Sequence, residues 1–282
     1  MLDVLAAIIK ALLFAGILSC TGAVFAEATL RATPDLTRFS IQVMRRGALL
    51  TIAATLAGAL ILVYRLGGRF DSVTLAAVFL SISGAALSLQ LGGSLLLLTT
   101  VGDDRFACSM RLINAMVVTL SFLFHGHAAG GESFEPALAV IHLGAAAWWV
   151  GSLWLLHYAC SRERLADLAT LVLRFSTLAI RMVGMLLLAG VLLAMLLISS
   201  TATPLTSPYV QILALKIGLV AVTLGLAMYN KFRLTPRLAR HDAAAAPALR
   251  AMIRNEMIFI AGVLTVTAIL TTYTTPFVEY EV

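Results

Sequence analysis

The hydrophobic positions of this chain fall into long apolar runs separated by short polar connections. A helix needs about 20 mostly apolar residues to cross the hydrocarbon layer of a membrane. Eight such runs follow one another: Val4–Phe25, Ala48–Leu66, Ser72–Leu98, Phe106–Phe124, Pro136–Tyr158, Leu171–Ile198, Pro208–Tyr229 and Met257–Tyr273. Since a helix satisfies its backbone groups internally, the pattern predicts an all-α bundle of eight transmembrane helices, one domain over residues 1–282. We expect the third helix to bend near Gln90–Gly93.

The amino-acid composition points to the same class of protein. Hydrophobic residues make up 61% of the chain and charged residues only 12%, and the mean hydropathy is +0.98. These values are typical of a multi-pass membrane protein and not of a soluble domain. The first residues, MLDVLAAIIK, contain an acid and lack a basic n-region, so we expect a retained first helix and not a cleaved signal peptide.

Lys and Arg are concentrated in alternate connections. The odd-numbered connections carry twelve: Arg31, Arg38, Arg45, Arg46, Arg105, Arg162, Arg164, Lys231, Arg233, Arg237, Arg240 and Arg250. The even-numbered connections carry two, Arg65 and Arg69. Because basic loops stay in the cytoplasm, the odd-numbered connections are predicted to be cytoplasmic and both termini to lie outside, in the periplasm of a bacterium. The net charge of +6 therefore reflects topology and does not indicate binding to nucleic acid.

Histidines cluster around the fourth connection. His125 and His127 end the fourth apolar run, and His142 begins the fifth. Neutral imidazole is a common ligand of copper and zinc, and a polar group in an apolar bundle usually faces its interior or a water-filled cavity. The three residues therefore predict a metal site on the outer side. The alternative is that His125 and His127 cap a helix end in water while His142 hydrogen-bonds within the bundle. His157 lies roughly 22 Å further along the helix and cannot share the ion.

Two other side chains of the apolar runs are candidates for a role near this site. Trp149 is seven residues after His142, about 20° off the same helical face, so we expect both to point inward. The alternative for Trp149 is an interfacial anchor. Lys216 lies eight residues into its run and needs a partner, for which Glu256 and Glu27 are the candidates. It is either part of a charge-sensitive gate or one half of a structural ion pair. Arg181 is also expected to point inward.

Several short motifs of the second half occur in a recognisable order. They are HLGAAAWWVG from His142, RFS at Arg174–Ser176, LALKIG around Lys216, NKFRLTP at Asn230–Pro236, RNEM at Arg254–Met257 and the late Pro276. This set, concentrated in residues 121–276, resembles the CopD copper-resistance family of bacterial inner-membrane proteins. Two positions depart from the family pattern: Ser152 and Val210 stand where glycine is usual. The first hundred residues resemble the family only in hydropathy.

The resemblance implies a multi-pass protein of the bacterial inner membrane that handles copper. It implies movement of copper from periplasm to cytoplasm, or delivery to a periplasmic cuproprotein, together with a small CopC-like copper-binding partner. On this reading His125, His127 and His142 receive the copper ion, as Cu(I) or Cu(II). The residues alone do not select copper.

Sulfur-containing side chains suggest how copper could continue inward, since Cu(I) favours thioether and thiolate ligands. A possible path includes Trp149, Lys216 and four methionines, Met116, Met182, Met185 and Met195. Cys20, Cys108 and Cys160 fall in the inner half of the predicted bundle and are possible ligands there. With no CxxC and no close pair, these cysteines predict neither disulfides nor a zinc ribbon. The alternative is that methionine and free cysteine simply fill an apolar core.

No catalytic pattern is present in the sequence: there is no phosphate-binding loop, no phosphorylation motif of an ATP-driven pump and no plausible Ser–His–Asp set. We therefore expect a transporter or binding protein and not an enzyme, with any transport running downhill or coupled to an ion gradient. Two other functions stay open. Paired histidines on transmembrane helices can ligate haem, as in a b-type cytochrome. The protein could also be a non-transporting membrane scaffold for a copper chaperone.

Overall fold

The computed structural model describes residues 1–30, 32–68, 71–102, 104–124, 134–201 and 207–273, with no side chains for 197–201. Ten α-helices lie in these ranges: α1 (Leu2–Leu30), α2 (Pro34–Arg65), α3 (Ser72–Phe79), α4 (Ile82–Thr99), α5 (Arg105–Leu120), α6 (Glu135–Arg162), α7 (Leu165–Thr201), α8 (Pro208–Tyr229), α9 (Thr235–Ala239) and α10 (Ala245–Tyr273). A 3₁₀ turn, Ser121–Phe124, extends α5, and a π-helical turn, Asn230–Leu234, joins α8 to α9. In the described ranges, eight helical segments are long and apolar enough to cross a membrane. The predicted all-α class and the eight spans are confirmed.

Several helices extend beyond their apolar runs because their ends are capped in polar sequence. The side chain of Thr33 accepts a hydrogen bond from the backbone N–H of Leu36, and Pro34 occupies the first turn of α2. Both features are typical helix starts. Helix α2 therefore begins well before Ala48, where the apolar run begins, and its exposed first turn carries an Asp35–Arg38 ion pair.

The third run is interrupted at a different place from the one predicted. Helix α4 passes without a break through Gln90, and the bend expected there stays a prediction. The chain breaks at Leu80–Ser81, where the Ser81 hydroxyl accepts a hydrogen bond from the N–H of Gly84 and starts α4. Gln90 is fully buried: its side chain accepts from the hydroxyl of Thr55 and donates to that of Ser121. It acts as a polar link between α2, α4 and the 3₁₀ turn.

Helix α6 lies at the centre of the bundle, packed against α1, α7 and α10. Its indole side chains make specific contacts in the core. The Trp148 indole N–H donates to the Thr29 hydroxyl on α1 at 2.8 Å, and its ring stacks on Phe175 of α7 with centroids 5.6 Å apart. These contacts fix α6 between its two neighbours.

The closest helix crossing joins α1 and α6 at two glycines. A Cβ on Gly22 would collide with the backbone of Ala147, and a Cβ on Gly151 would collide with the backbone of Gly22. Small residues allow such backbone contact between transmembrane helices. Ser152, the departure from the family motif, is next in sequence. Its side chain is fully buried, and its hydroxyl has no partner among the described residues.

The π-helical turn after α8 has a local cause in its sequence. Pro236 has no backbone N–H and its ring collides with a preceding carbonyl in a regular helix, so an α-turn is unfavourable there. The wider turn instead directs both the N–H and the hydroxyl of Thr235 to the carbonyl of Asn230. Single π-turns within helices are frequently found at functional sites.

Replacing either glycine of the α1–α6 crossing by alanine should destabilise the bundle. The new Cβ meets rigid backbone, so the helices must separate, and overpacking of this kind costs about 1–3 kcal/mol. We expect a lower thermal unfolding midpoint in detergent for Gly22→Ala and Gly151→Ala, followed by circular dichroism. Gly58→Ala on α2 is the matched control, since a Cβ there meets nothing within 4 Å. Equal midpoints for all three variants would contradict the assigned crossing.

Candidate metal site

His142 lies half-buried in the second turn of α6, with its ring held by α7. Its Nδ1 lies 2.9 Å from the backbone oxygen of Leu186. A carbonyl only accepts, so Nδ1 carries the proton and the lone pair of Nε2 is left for another partner. Histidines that bind metals almost always donate their second ring N–H to a carbonyl or carboxylate in this way. The ring is thus fixed in the tautomer that a metal ligand requires.

Gly190 provides the space in which the His142 ring lies. A Cβ at Gly190 would be 2.9 Å from Cε1 and 3.1 Å from Nδ1 of that ring. Gly190 follows Leu186 by one helical turn, so one face of α7 supplies both the hydrogen-bond acceptor and the gap. Neither Leu186 nor Gly190 could be singled out from sequence, because their role depends on which helix packs beside α6.

Lys216 lies close enough to His142 for the two groups to interact electrostatically. Neither of its expected partners is paired with it. Glu27 forms an ion pair with Arg111 at 3.5 Å, and Glu256 is hydrogen-bonded to Asn230 and Trp149. In the described part of the chain, Lys216 makes no ion pair or hydrogen bond. It therefore places an unpaired amine near the candidate ligand, positively charged only when protonated.

The other two histidines of the expected trio, His125 and His127, lie outside the described residues, as does Pro276. Within the described ranges, no three His, Cys, Asp or Glu side chains are grouped so that they could hold a metal ion. His157 lies at the opposite end of α6, where it interacts electrostatically with Arg250 and Arg254. That basic environment disfavours a cation.

The four candidate methionines occupy two kinds of position. Met182 packs partly buried against the core. Met116, Met185 and Met195 expose 51%, 45% and 62% of their surface and lie on the outside of the bundle. Of the four, only Met182 lies where a route through the interior of the bundle could pass. Arg181 is also exposed, so the expectation that it points inward is wrong.

The three cysteines have separate surroundings. Cys20 is fully buried at the α1–α2 contact, with its Sγ 3.4 Å from the oxygen of Ile17 and 3.9 Å from the Thr51 hydroxyl. Cys108 is exposed, and the Arg111 guanidinium donates to its Sγ at 3.3 Å. Cys160 is half-buried on α6 and packs against the core. Their role as copper ligands stays a prediction.

Arg111 is a buried charge that the sequence pattern did not single out. It donates to the carbonyl of Gly102 at 2.6 Å as well as pairing with Glu27 and Cys108. Because Arg111 is only about one and a half turns into the predicted span, its position is typical of a residue at the membrane interface. Its partner, Glu27, is 84 residues earlier in the sequence. Only the packing of α1 against α5 reveals the pair.

Two cavities open between the helices away from His142. The larger, about 340 Å³, lies between α1, α2, α4 and α10, and Lys10 and Arg65 line it. Two cationic groups make it unfavourable for a metal ion. The smaller, about 160 Å³, is lined by Thr33, Glu163, Asp167 and Arg174, the arginine of the RFS motif. At Glu163, one carboxylate oxygen accepts from the Thr33 hydroxyl at 2.7 Å.

Fold and composition define a multi-pass α-helical membrane protein with an oriented histidine near the start of α6. Residues 169–270 match the family model of copper resistance protein D, which confirms over this region the resemblance seen in the motifs. A curated relative is the inner membrane protein YebZ of Escherichia coli (strain K12), 32% identical over 168 residues, which cover 56% of this chain. The matched region spans 57% of that relative's length. No solved structure matches the chain.

Replacing Gly190 by alanine should weaken metal binding without touching a ligand. The added methyl group displaces the His142 ring from the Leu186 carbonyl, and loss of such an orienting hydrogen bond typically costs about 10- to 100-fold in metal affinity. Gly184→Ala is the matched control on the same helix, because a Cβ there meets nothing within 4 Å. The measurement is copper affinity of each purified protein in detergent. Equal affinities for the two variants would contradict a metal role for His142.

Proposed function

We propose that the protein binds copper ions and moves them across the bacterial inner membrane as part of copper homeostasis and resistance. The observation that supports this most directly is the geometry of His142: its Nδ1 donates a hydrogen bond to the backbone carbonyl of Leu186, which leaves the lone pair of Nε2 to bind a metal ion. The copper resistance family match over residues 169–270 selects copper from among the metals that imidazole binds. The inner-membrane relative supports the location.

Copper is received on the periplasmic side by His142 together with His125 and His127. Helix α6 begins at Glu135, so His142 lies about 10 Å along it, near the outer surface under the predicted orientation. The connection before α6 contains no Lys or Arg to repel a cation. A small CopC-like copper-binding protein is the partner that delivers the ion to this connection.

Lys216 limits how the ion can proceed. When it is protonated, this lysine repels a cation bound at His142, and it has no carboxylate partner among the described residues. The lysine thus acts as a gate that opens when its charge is moved or compensated. Since the sequence has no nucleotide-binding motif, movement of copper runs downhill or is driven by an ion gradient.

Removing the three imidazoles should abolish copper binding at the outer site. We expect His125→Ala, His127→Ala and His142→Ala in combination to lose the bound copper that the wild-type protein carries, and to lose copper uptake in proteoliposomes. His157→Ala is the control, because His157 lies at the far end of α6 beside Arg250 and should leave both measurements unchanged. Undiminished copper in the triple variant would contradict the site.

The same preparations separate the competing functions. A Soret band in the visible spectrum of the wild-type protein would indicate a b-type cytochrome in place of a copper site. Bound copper without uptake would indicate a scaffold for the periplasmic chaperone. Copper binding together with uptake is the expected result.

The inner sulfur ligands are tested by replacing Cys20, Cys108 and Cys160 together. If thiolates release copper inside, the triple serine variant should take up copper several-fold more slowly while its outer site still binds the ion. Cys20→Ser alone controls for packing, since this thiol is fully buried at a helix contact. Normal uptake by the triple variant would remove the cysteines from the route.

A further inference from the structure

Residues from three of the sequence motifs meet at one buried carboxyl group. Glu256, on α10, exposes only 2% of its surface. The side-chain amide of Asn230, the first residue of the π-helical turn, donates to its Oε1. The indole of Trp149, on α6 and 6% exposed, bonds to the same carboxyl group. Sequence patterns assigned these residues separate roles, and the packing of α6, α8 and α10 brings them together.

Every hydrogen-bond partner of this carboxyl group is neutral. The charged side chains and histidines on the elements packed around it are Asp3, Lys10 and Glu27 on α1, Glu135, His142, His157 and Arg162 on α6, Lys216 on α8, Lys231 and Arg233 in the π-helical turn, Arg237 on α9, and Arg250 and Arg254 on α10. In the described part of the chain, none forms an ion pair or hydrogen bond with Glu256. Several bond elsewhere: Lys10 with the carbonyl of Thr271, and Arg237 with Asp242.

A carboxylate buried without a cation is expensive. Removing an ion from water costs several kcal/mol in real proteins, and neutral hydrogen-bond donors recover only part of that. A group in this position avoids the cost by binding a proton. The favoured form of Glu256 in this environment is thus the neutral carboxylic acid.

Asn230 can serve both forms of the carboxyl group. Its Oδ1 is buried and has no partner among the described residues, while its Nδ2 faces Glu256. The two ends of an amide are interchangeable by a rotation of about 180°. With Glu256 ionised, Nδ2 donates to it. With Glu256 protonated, Oδ1 of the rotated amide accepts its O–H.

We propose that Glu256 is a proton-binding site inside the membrane domain, with Trp149 and Asn230 as the side chains that position its carboxyl group. The proton comes from water and returns to water, with no other reactant. Glu256 is about 17 Å along α10 from its inner end, at a depth between the two membrane surfaces. Trp149 lies on nearly the same face of α6 as His142, and His142 is two helical turns closer to the outer end of the helix. The proton site therefore lies further inward along α6 than the candidate copper ligand, where Trp149 meets α10 while His142 meets α7.

The test is infrared spectroscopy of the full-length protein in lipid, in H₂O and D₂O and without copper. The wild type should show a protonated-carboxyl C=O band that shifts in D₂O and disappears in Glu256→Gln, which keeps the size and neutrality of the group. In Asn230→Leu the band should move to higher frequency, because the O–H loses its acceptor. Glu163→Gln, at the membrane edge beside Thr33, should leave the band in place. A wild-type spectrum without the band, or a band that persists in Glu256→Gln, would overturn the proposal.

A second measurement tests whether proton release from Glu256 is coupled to copper uptake, and it rests on the proposed copper function. If release of the proton compensates the entering cation, an imposed pH gradient should change wild-type copper uptake in proteoliposomes several-fold and leave uptake by Glu256→Gln unchanged. Uptake absent from the wild type would contradict copper movement while leaving the infrared result intact. Equal gradient dependence in both proteins would overturn the coupling alone.

Discussion

The backbone contact between Gly22 and Gly151 determines where the central helix lies. Without side chains at these positions α1 and α6 approach closely, and α6 then has neighbours on several sides: α1, α7 and α10. The polar side chains of α6 point to those neighbours in turn. His142 reaches α7, Trp148 reaches α1, and Trp149 reaches α10. The position of each candidate functional group follows from the position of this helix.

Polar groups in a membrane interior must find their hydrogen-bond partners within the protein, because lipid offers none. Most buried polar side chains here have a defined partner. Arg111 pairs with Glu27, and Gln90 links Thr55 to Ser121. Among the described residues, two of the atoms without a partner are informative: the Nε2 of His142 and the amide oxygen of Asn230. Each lies next to a group to which a functional role is assigned.

The number and type of helices were predictable from sequence because hydropathy over 20 residues is a strong signal. Helix ends were less so: α2 starts at Pro34 and α10 at Ala245, since charged residues outside the hydrocarbon layer do not end a helix. The break at Leu80–Ser81 was not predicted, because it lies within one continuous apolar run and depends on the Ser81 hydroxyl, which starts α4.

The candidate site was predictable only in part. His142 could be singled out by residue type and depth, yet Leu186 and Gly190 have no chemical signal of their own and act through proximity. The same holds for Glu256, which the sequence suggested as a partner of Lys216 and which the fold joins to Asn230 and Trp149. A one-dimensional pattern gives the depth of a group but not the neighbouring helix.

The π-helical turn at Asn230–Leu234 gives the end of α8 a mechanical property. A π-turn contains one more residue than an α-turn, and one residue corresponds to about 100° of rotation around a helix axis. If this segment adopted α-helical geometry, the part of α8 that carries Lys216 would rotate about its axis by roughly 100° relative to α9. Asn230, which hydrogen-bonds to Glu256, is the first residue of the turn. The same short segment therefore controls two things: the hydrogen bond to Glu256 and the direction in which Lys216 points, near the other end of α8.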